Sequence, residues 1–444
     1  MPAPRSPAKK PASASSSSGA AASAAADGAK RGAATSSPLL LPLVQARAVW
    51  HRRQGLAAKA AGPIDAVLAA TSWPRTLGGI DVYLSVRARV AKLRRAELDA
   101  AVERRDVQVV PAVRGCIYLV PRQLAPLCLR VAEDQWRPRT DREIQKAGTT
   151  WAEIEQVAAA ARAALAGGPL TPDGLRRAMP AGSIRSLGDA GKKVGISSPL
   201  PLALRLLEFS GRIERTLPGG RLDSERYEWR LATTAAAAAA TQAVPPTAAE
   251  RNARLAAIFF AGAAPATVKD FAAWAALSQS DAQKAVQELP LRPVQVPEYS
   301  AQALAFAEDL EEVPPSAELS FLPFEDNFLT THGGLALLTD PAHHGQSLPV
   351  WGSTRTSPLA RSKEISLRPI LAGPNVVGFW EYDPDARRVV YKVFEKSTPP
   401  AAVAVAAESL TAFLRDELQH GRSFSLDTDD ELRARARQVL QASV

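Results

Sequence analysis

The sequence contains little cysteine: Cys116 and Cys128 are the only two in 444 residues. Two thiols in a chain of this length exclude a disulfide framework and are typical of a protein that works in a reducing compartment. We therefore expect this protein in the cytoplasm.

Histidine is also scarce, and the usual patterns of metal and nucleotide sites are missing. The five histidines form no HExxH pattern and the two cysteines have no paired spacing, which argues against zinc. The chain has no Walker A sequence, no GxGxxG between a strand and a helix, and no serine-hydrolase elbow. These absences predict a protein that uses neither a metal nor a cofactor.

Long apolar runs are absent as well. No stretch reaches the about eighteen apolar residues that a membrane-spanning helix needs, and the alanine tracts are too weakly hydrophobic to replace one. Aromatic residues make up only 6% of the chain, so we expect them in the core rather than as stacking surfaces for bases. The sequence thus predicts a soluble protein without a membrane partner.

The chain does contain an excess of basic residues, with a formal net charge of +9. Residues 1–37 are rich in Pro, Ala, Ser and Lys and lack the apolar core of a secretory signal, so we expect a disordered basic tail. A surplus of this size indicates a polyanionic partner such as DNA. The alternative is that Arg and Ala simply reflect a genome of high GC content.

Helical and strand patterns alternate along the next part of the chain. Residues 38–140 contain two or three predicted helices, with Asp81 at the start of one, followed by strands at 107–110 and 116–120. Helices followed by a β-ribbon are the order of a winged helix-turn-helix. The pattern recurs at 141–240 and again, with clear helices but weak strands, at 241–298.

From residue 299 the periodicity becomes alternating, which predicts a small antiparallel β-barrel with closing helices up to residue 444. The predicted fold class is therefore α+β: three tandem winged helix-turn-helix domains followed by a small C-terminal antiparallel β-barrel.

Basic side chains are concentrated in the second of these units. Lys192 and Lys193 lie in a Gly-rich linker, and Arg212, Arg215 and Arg221 lie in its hairpin. In a nucleic-acid complex such residues contact phosphates rather than bases. A merely solvated hairpin would have a similar composition.

The densest group of chemically usable side chains lies in residues 77–120, where Asp81 follows the Gly78-Gly79 turn. Next to bound DNA, Asp81 could orient a water molecule or balance positive charge that develops on a sugar. The structural alternative is a carboxylate that favours the start of a helix for dipole and capping reasons alone.

Four segments follow one another in an informative order: LGGIDVYLSVRARV, PAVRGCIYLVP, PATVKDFAAWAAL, and SFLPFEDNFLTTHGG with NVVGFW after it. They resemble the winged-helix DNA glycosylases of the AlkZ and YcaQ type. The resemblance implies three tandem winged helices and a C-terminal β-barrel that embrace DNA. It also implies hydrolysis of the N-glycosidic bond of bulky alkylated purines, including interstrand crosslinks, without metal or cofactor.

The chain departs from the family pattern at the catalytic turn. The AlkZ branch has Gln-x-Gln, and the YcaQ branch has Gln-apolar-Asp, where this chain has Gly79-Ile80-Asp81-Val82-Tyr83. Matching Gly79-Ile80-Asp81 to the YcaQ pattern keeps the carboxylate but loses the glutamine, and matching Asp81-Val82-Tyr83 to the AlkZ pattern replaces both glutamines. Either alignment lacks an amide that positions water. By resemblance we expect Asp81 to be catalytic and Tyr83 to be its hydrogen-bond partner.

Two further segments resemble family positions close to the DNA. Arg114 and Tyr118 would lie near the same cleft, and a packing role is the alternative for Tyr118. The family's D-N-x-x-L-x-x-H segment is matched by Asp326, Asn327 and His332, which we expect to be structural or close to DNA.

Together these observations predict a bacterial, nucleoid-associated DNA-repair glycosylase that acts as a monomer on damaged double-stranded DNA through Asp81. The alternative is a non-catalytic winged-helix DNA-binding protein, a regulator or lesion sensor with a degenerate catalytic motif. A winged-helix scaffold that binds other proteins rather than DNA is a third hypothesis.

Overall fold

Helices alternate with short hairpins in the first part of the chain, and an antiparallel sheet follows them. The computed structural model describes residues 39–441, with gaps at 72, 225–226, 234–243, 300, 315, 324, 333, 351–354 and 363–366. The tail predicted at 1–37 lies outside the described residues. A mixed α and β architecture agrees with the predicted class.

The first unit contains helices and one hairpin in the predicted order. Its elements are β1 (Leu39–Leu40), α1 (Leu43–Arg53), α2 (Ile64–Ala70), α3 (Asp81–Arg87), α4 (Arg95–Glu103), β2 (Val107–Pro111) and β3 (Ile117–Pro121). Strands β2 and β3 are antiparallel, with Val109 opposite Leu119. Helix α4 begins with a capping box in which the Glu97 carboxylate accepts the N–H of Arg94.

A long helix, α5 (Ala125–Ala147), leads into the second unit and ends at Gly148, whose φ of 69° is left-handed. The second unit contains α6 (Trp151–Ala164), α7 (Pro172–Ala178), α8 (Gly188–Lys193), α9 (Leu200–Phe209), β4 (Ile213–Thr216) and β5 (Glu228–Leu231). The side chains of Thr150 and Thr171 cap α6 and α7. Strands β4 and β5 form an antiparallel hairpin.

The third unit again places a hairpin after three helices. It contains α10 (Ala248–Ala263), α11 (Val268–Ala275), α12 (Gln279–Val286), β6 (Arg292–Gln295) and β7 (Ala303–Ala305). The sequence predicts Thr267 as the cap of α11 and either Ser278 or Ser280 as the cap of α12. In the structure Thr267 and Ser278 are the caps. Strand β1 pairs in parallel with β6, so the start of the described chain completes this sheet.

The C-terminal part contains the largest sheet among the described residues. Its elements are β8 (Leu319–Phe321), α13 (Asn327–Thr330), β9 (Ser347–Pro349), β10 (Thr356–Pro358), β11 (Arg368–Ala372), β12 (Asn375–Asp383), β13 (Arg388–Val393), α14 (Pro400–Ala412), a π-helical turn (Phe413–Leu418) and α15 (Asp429–Gln441). Four strands pair antiparallel in the order β13-β12-β11-β8, and β9 pairs with β10 separately. Among the described strands the outer pair, β13 and β8, do not bond to each other, so this sheet is open.

One hydrophobic core joins the first unit to the C-terminal sheet. Ile80 and Leu84 of the first unit pack in the same cluster as Trp380 of β12 and Leu414 of the π-helical turn. Because burial of apolar surface is the main favourable contribution to folding, this shared core holds α3 directly against the sheet. The position of Asp81 follows from that packing.

The apolar pattern of residues 40–60 predicts one helix with Val44 and Leu56 buried, and the first helix of the structure is shorter. Pro42 stands at its N-cap and Gly55, with a φ of 69°, follows its end, so the helix covers only Leu43–Arg53. Val44, which the apolar pattern places in the core, is 69% exposed. Leu56, by contrast, is buried as predicted.

Candidate active site

Asp81 occupies the first position of α3, directly after the Gly78-Gly79-Ile80 turn. Gly78 has a φ of 73°, which L side chains rarely adopt, and it lets the chain reverse into the helix. Ile80 stands at the N-cap and no side chain caps this helix. The carboxylate of Asp81 therefore points away from the helix end instead of capping it.

The Asp81 carboxylate faces Arg368, the first residue of β11. The Arg368 Nη2 atom lies 3.4 Å from Asp81 Oδ1, and the two side chains are 1% and 5% exposed. Arg368 also donates from Nη1 to Glu381 Oε1 at 2.6 Å and lies over the ring of Trp380. A buried ion pair of this kind needs several hydrogen bonds to offset its desolvation, and Arg368 supplies them.

A chain of alternating charges extends from this pair towards the C-terminus. Glu381 Oε2 accepts from Arg435 Nε at 2.8 Å, and Arg435 Nη2 donates to Asp427 Oδ2 at 2.9 Å. Asp427 in turn accepts the backbone N–H of Ser423 at 2.8 Å. These buried groups fix residues 421–427 beside the turn that carries Asp81.

The pKa of Asp81 is raised from 3.8 to about 7. Burial is the largest cause, because it disfavours the charged carboxylate; Arg368 and the hydroxyl of Ser423 oppose the shift, and the negative charges of Glu381 and Glu325 add to it. The Oδ2 atom of Asp81 is buried and has no hydrogen-bond partner. A carboxyl group with a pKa near neutrality can exchange a proton during a reaction at physiological pH.

The backbone of Arg422 and Ser423 packs against Gly79, which one of the two alignments with the family pattern places opposite a glutamine. A Cβ atom on Gly79 would lie under 3.0 Å from that backbone, a distance that real Cβ atoms essentially never show. The N–H of Ile80 also donates to the carbonyl of Arg422 at 2.8 Å. The volume that a side chain at position 79 would need is therefore filled by residues 422–423.

Tyr83, expected to hydrogen-bond Asp81, has other partners. Its hydroxyl donates to Asp99 Oδ1 at 2.5 Å and accepts the N–H of Leu222 at 2.8 Å. Burial, with the negative charge of Asp99, raises the pKa of Tyr83 well above its ordinary value. The residue links α3 to α4 and to the loop of the second hairpin.

Arg114 and Tyr118 lie together, on the side of the molecule where Glu325 approaches Asp81. Arg114 is exposed and its Nη2 donates to the Tyr118 hydroxyl at 3.2 Å. Glu325 forms an ion pair with Arg75 and interacts electrostatically with both Asp81 and Arg114. Tyr118 itself is fully buried, which agrees with the packing alternative.

The five basic residues of the second unit that the sequence predicts to contact phosphates have different environments. Lys192, Lys193 and Arg212 are exposed. Arg215 is largely buried, pairs with Glu208 at 2.6 Å and lies between two aromatic rings. Arg221 pairs with Asp223 and donates to the carbonyl of Leu418 at 2.9 Å. Lys192 pairs with the exposed Asp189 at 3.1 Å, and the structure gives no ion pair for Lys193 and Arg212 among the described residues.

Asn327 and His332 lie inside the protein. The Asn327 amide donates to the carbonyl of Trp73 at 2.8 Å. His332 is fully buried, stacks on Trp50 at 4.2 Å between ring centroids, and has its pKa lowered to about 3 by burial. Asp326 pairs with Arg89 at 2.8 Å, and both are buried. These contacts fix α13 and its flanking residues in the protein interior.

The sequence reasoning missed Arg368, Glu381 and Ser423, which surround Asp81. Nothing near them in the sequence signals this role, because they come from β11, β12 and the segment after the π-helical turn. Arginine is rarely fully buried, so the burial of Arg368 in a strand is a sign of this role that only the structure shows.

The described part of the chain was also searched for metal-binding groups and for membrane-spanning helices. Within it, no three His, Cys, Asp or Glu side chains are grouped so that they could hold a metal ion. None of its helices combines the length and apolar character that crossing a membrane requires.

Comparisons with known proteins agree with the resemblance noted in the sequence. The solved structure of Streptomyces sahachiroi DNA glycosylase AlkZ superposes with a TM-score of 0.61 at 17% sequence identity, covering 86% of this chain and 98% of that chain. No curated protein sequence matches significantly. The sequence model of the family described as DNA glycosylase AlkZ-like matches residues 79–415, starting at the turn that precedes Asp81. This chain belongs to the AlkZ-like DNA glycosylase family.

Proposed function

We propose that this protein is a monomeric DNA glycosylase that removes bulky alkylated or crosslinked purines from double-stranded DNA, without a metal or cofactor, through Asp81. The observation that carries the proposal is the Asp81 carboxyl group: it lies within the family match, and its pKa is raised to about 7. A group that titrates near neutrality in a family of glycosylases is a candidate for the catalytic acid–base role.

The chemistry requires little from the protein. An N7-alkylated purine carries a positive charge, so the bond between the sugar C1′ and the purine N9 breaks with its electron pair moving to the base. A water molecule then forms a new bond to C1′ and loses a proton. The ionised Asp81 stabilises the positive charge on the sugar and accepts that proton.

The DNA would be held by the helix-and-hairpin units, which we interpret as winged helices within 38–140, 141–240 and 241–298. The exposed cations of the second unit, Lys192, Lys193 and Arg212, suit phosphate contacts. Arg114, which interacts with Glu325 as Asp81 does, would contact phosphate closer to the catalytic turn. Because such contacts are electrostatic, the affinity should fall steeply with salt.

The test is release of base from duplex DNA that contains a bulky N7-alkylguanine. Asp81→Asn should slow release by about a hundredfold or more, since it removes both the charge and the proton acceptor. Asp309→Asn is the matched control, because Asp309 is also buried and paired with an arginine, Arg53 at 2.7 Å.

Two outcomes would contradict the proposal. Full release by Asp81→Asn would remove Asp81 from the mechanism. Salt-dependent duplex binding with no release above buffer by the wild-type protein would favour the non-catalytic DNA-binding protein instead.

A further inference from the structure

The segment that closes over Asp81 comes from outside the family match, which ends at residue 415. It follows the π-helical turn Phe413–Leu418, reverses at Gln419, whose φ is 68°, and runs to the start of α15 at Asp429. We define residues 418–428 as the cover. Its middle residues, 421–423, contact Arg368, Gly79 and Ile80.

The cover leaves no route to the catalytic carboxylate. Asp81 is 4% exposed and Ser423 is 0% exposed. Arg368 holds the cover by donating to the Gly421 carbonyl at 2.8 Å and to the Ser423 hydroxyl. A deoxyribose cannot reach Asp81 while residues 421–423 remain in this position.

We propose that residues 418–428 form an autoinhibitory cover, and that duplex DNA opens it by engaging the loop of the second hairpin. This inference rests on the proposed function, because it concerns access of DNA to the same carboxylate.

A latch connects the cover to the hairpin loop between β4 and β5. His420 Nε2 donates to Asp223 Oδ2 at 2.9 Å, while His420 Nδ1 accepts the N–H of Arg422 at 3.2 Å. Arg221, in the same loop, pairs with Asp223 and donates to the carbonyl of Leu418 at 2.9 Å. The side chains of Arg221 and His420 are 29% and 27% exposed, so ligands can reach the latch from solvent.

A DNA phosphate is the ligand that suits this latch. The guanidinium of Arg221 binds a phosphate in the same two-pronged way as it binds the Asp223 carboxylate. When Arg221 binds a phosphate instead, the Leu418 carbonyl loses its hydrogen-bond donor. Asp223 then keeps only His420 of these two partners. Binding of DNA at the loop and release of the cover are thus linked, and each favours the other.

The part of the cover after Leu418 is held by polar contacts rather than by apolar packing. Leu418 is 1% exposed and lies in the hydrophobic core, so it fixes the start of the cover. The other buried members are small or polar: Gly421, Ser423 and Asp427. The second leucine, Leu426, is 85% exposed. Water and phosphate can replace hydrogen bonds, whereas nothing in solution replaces buried apolar contacts, so opening residues 419–428 costs less than it would if apolar side chains anchored them.

Hydrogen exchange at the Ile80 amide tests the cover independently of catalysis, since this N–H donates to the Arg422 carbonyl. In the full wild-type chain, saturating undamaged duplex DNA should speed exchange at Ile80 and at 420–428 by about tenfold or more. Exchange that stays unchanged in these amides at saturation would overturn the proposal.

Latch variants give the same readout without DNA. His420→Ala removes both ring hydrogen bonds and should speed exchange at Ile80 by about tenfold, and Asp223→Asn weakens the latch from the opposite side if the first variant does not fold. The control is Asp385→Asn, which removes an exposed ion pair with Arg433 of α15 outside the cover. Wild-type exchange in both folded latch variants would overturn the latch.

Base release, measured on the same samples, separates this inference from the proposed function. His420→Ala should raise the rate of release by about tenfold, and the double variant with Asp81→Asn should lose it. Faster exchange without any base release would support the cover and contradict the glycosylase. Release at the wild-type rate while Ile80 stays protected in the presence of DNA would contradict the cover and leave the glycosylase intact.

Discussion

Arg368 and Asp81 are 287 positions apart in the sequence, and in the fold they form a buried ion pair with 3.4 Å between Nη2 and Oδ1. The pair places the first residue of a sheet strand against the first residue of the helix that follows the Gly78-Gly79 turn. Arg368 simultaneously holds Glu381 and the cover. The charge state of Asp81 is therefore set by partners that its own segment does not contain.

The first prediction concerns the pH dependence of stability. The folded-state pKa of Asp81, about 7, exceeds its ordinary value of 3.8, so folding favours the protonated carboxyl group. The resulting stabilisation is fully present below pH 3.8 and is lost as pH rises through 7, by roughly 4 kcal/mol in total. Urea unfolding between pH 4.5 and 8 should show the wild type losing stability relative to Asp81→Asn. The control is Asp189→Asn, at a position 88% exposed, whose free energy of unfolding should change with pH in the same way as that of the wild type. If Asp81→Asn also changed in the same way as the wild type, the raised pKa of Asp81 would be contradicted.

The second prediction concerns Gly79, which the alignment with the Gln-apolar-Asp pattern places opposite the glutamine. Gly79→Gln should lower the free energy of unfolding by about 2–4 kcal/mol, because its Cβ would overlap the backbone of residues 422–423. Gly345→Gln is the control, since a Cβ there meets nothing within 4 Å. Chemical denaturation measures both variants, and equal stabilities would show that the cover does not fill this volume.

The third prediction concerns Arg368. Arg368→Met leaves the carboxylates of Asp81 and Glu381 without their shared buried cation and should destabilise the fold by about 3–5 kcal/mol at pH 7. Arg433→Met removes a more exposed guanidinium paired with Asp385 and should leave the free energy of unfolding nearly unchanged, because solvent screens the pair. Urea denaturation measures the loss in free energy of unfolding for both variants. A cost for Arg368→Met as small as that of the control would mean that water already screens the pair.

The fourth prediction concerns DNA binding. Arg114→Ala should weaken duplex affinity at low salt and reduce the slope of log affinity against log salt by about one, since one phosphate contact is lost. The control is Arg388→Ala, at the exposed start of β13. Fluorescence anisotropy at several salt concentrations gives both slopes, and an unchanged slope for Arg114→Ala would exclude a phosphate contact there.

Local patterns predicted much of the architecture. The recurrence of helices followed by a hairpin was visible in the sequence, because turn residues and helix caps act over a few positions. Thr267, for example, caps a helix by accepting the N–H of Asp270, three positions further on. The length of the first helix was not predicted correctly, since Pro42 and Gly55 overrode a continuous apolar pattern. The antiparallel C-terminal sheet was predicted, but periodicity could not decide between a sheet and a closed barrel, because closure depends on which distant strands pair.

The candidate site was only half predictable. Asp81 could be singled out from its place after a glycine turn, and the family membership has been confirmed. The environment of Tyr83, which bonds Asp99 and Leu222, depends on packing between units and has no local signal. The same holds for Arg221, whose partners include a carbonyl 197 positions further along the chain.

The sequence by itself determined the order of the elements, the family and the carboxylate at the turn, because periodicity, capping and motif residues act over short distances. Only the tertiary structure decided that Asp81 is buried, paired with Arg368 and covered by residues 418–428. Burial and long-range pairing set the pKa and the accessibility of a carboxyl group, and both arise when segments far apart in the chain pack together.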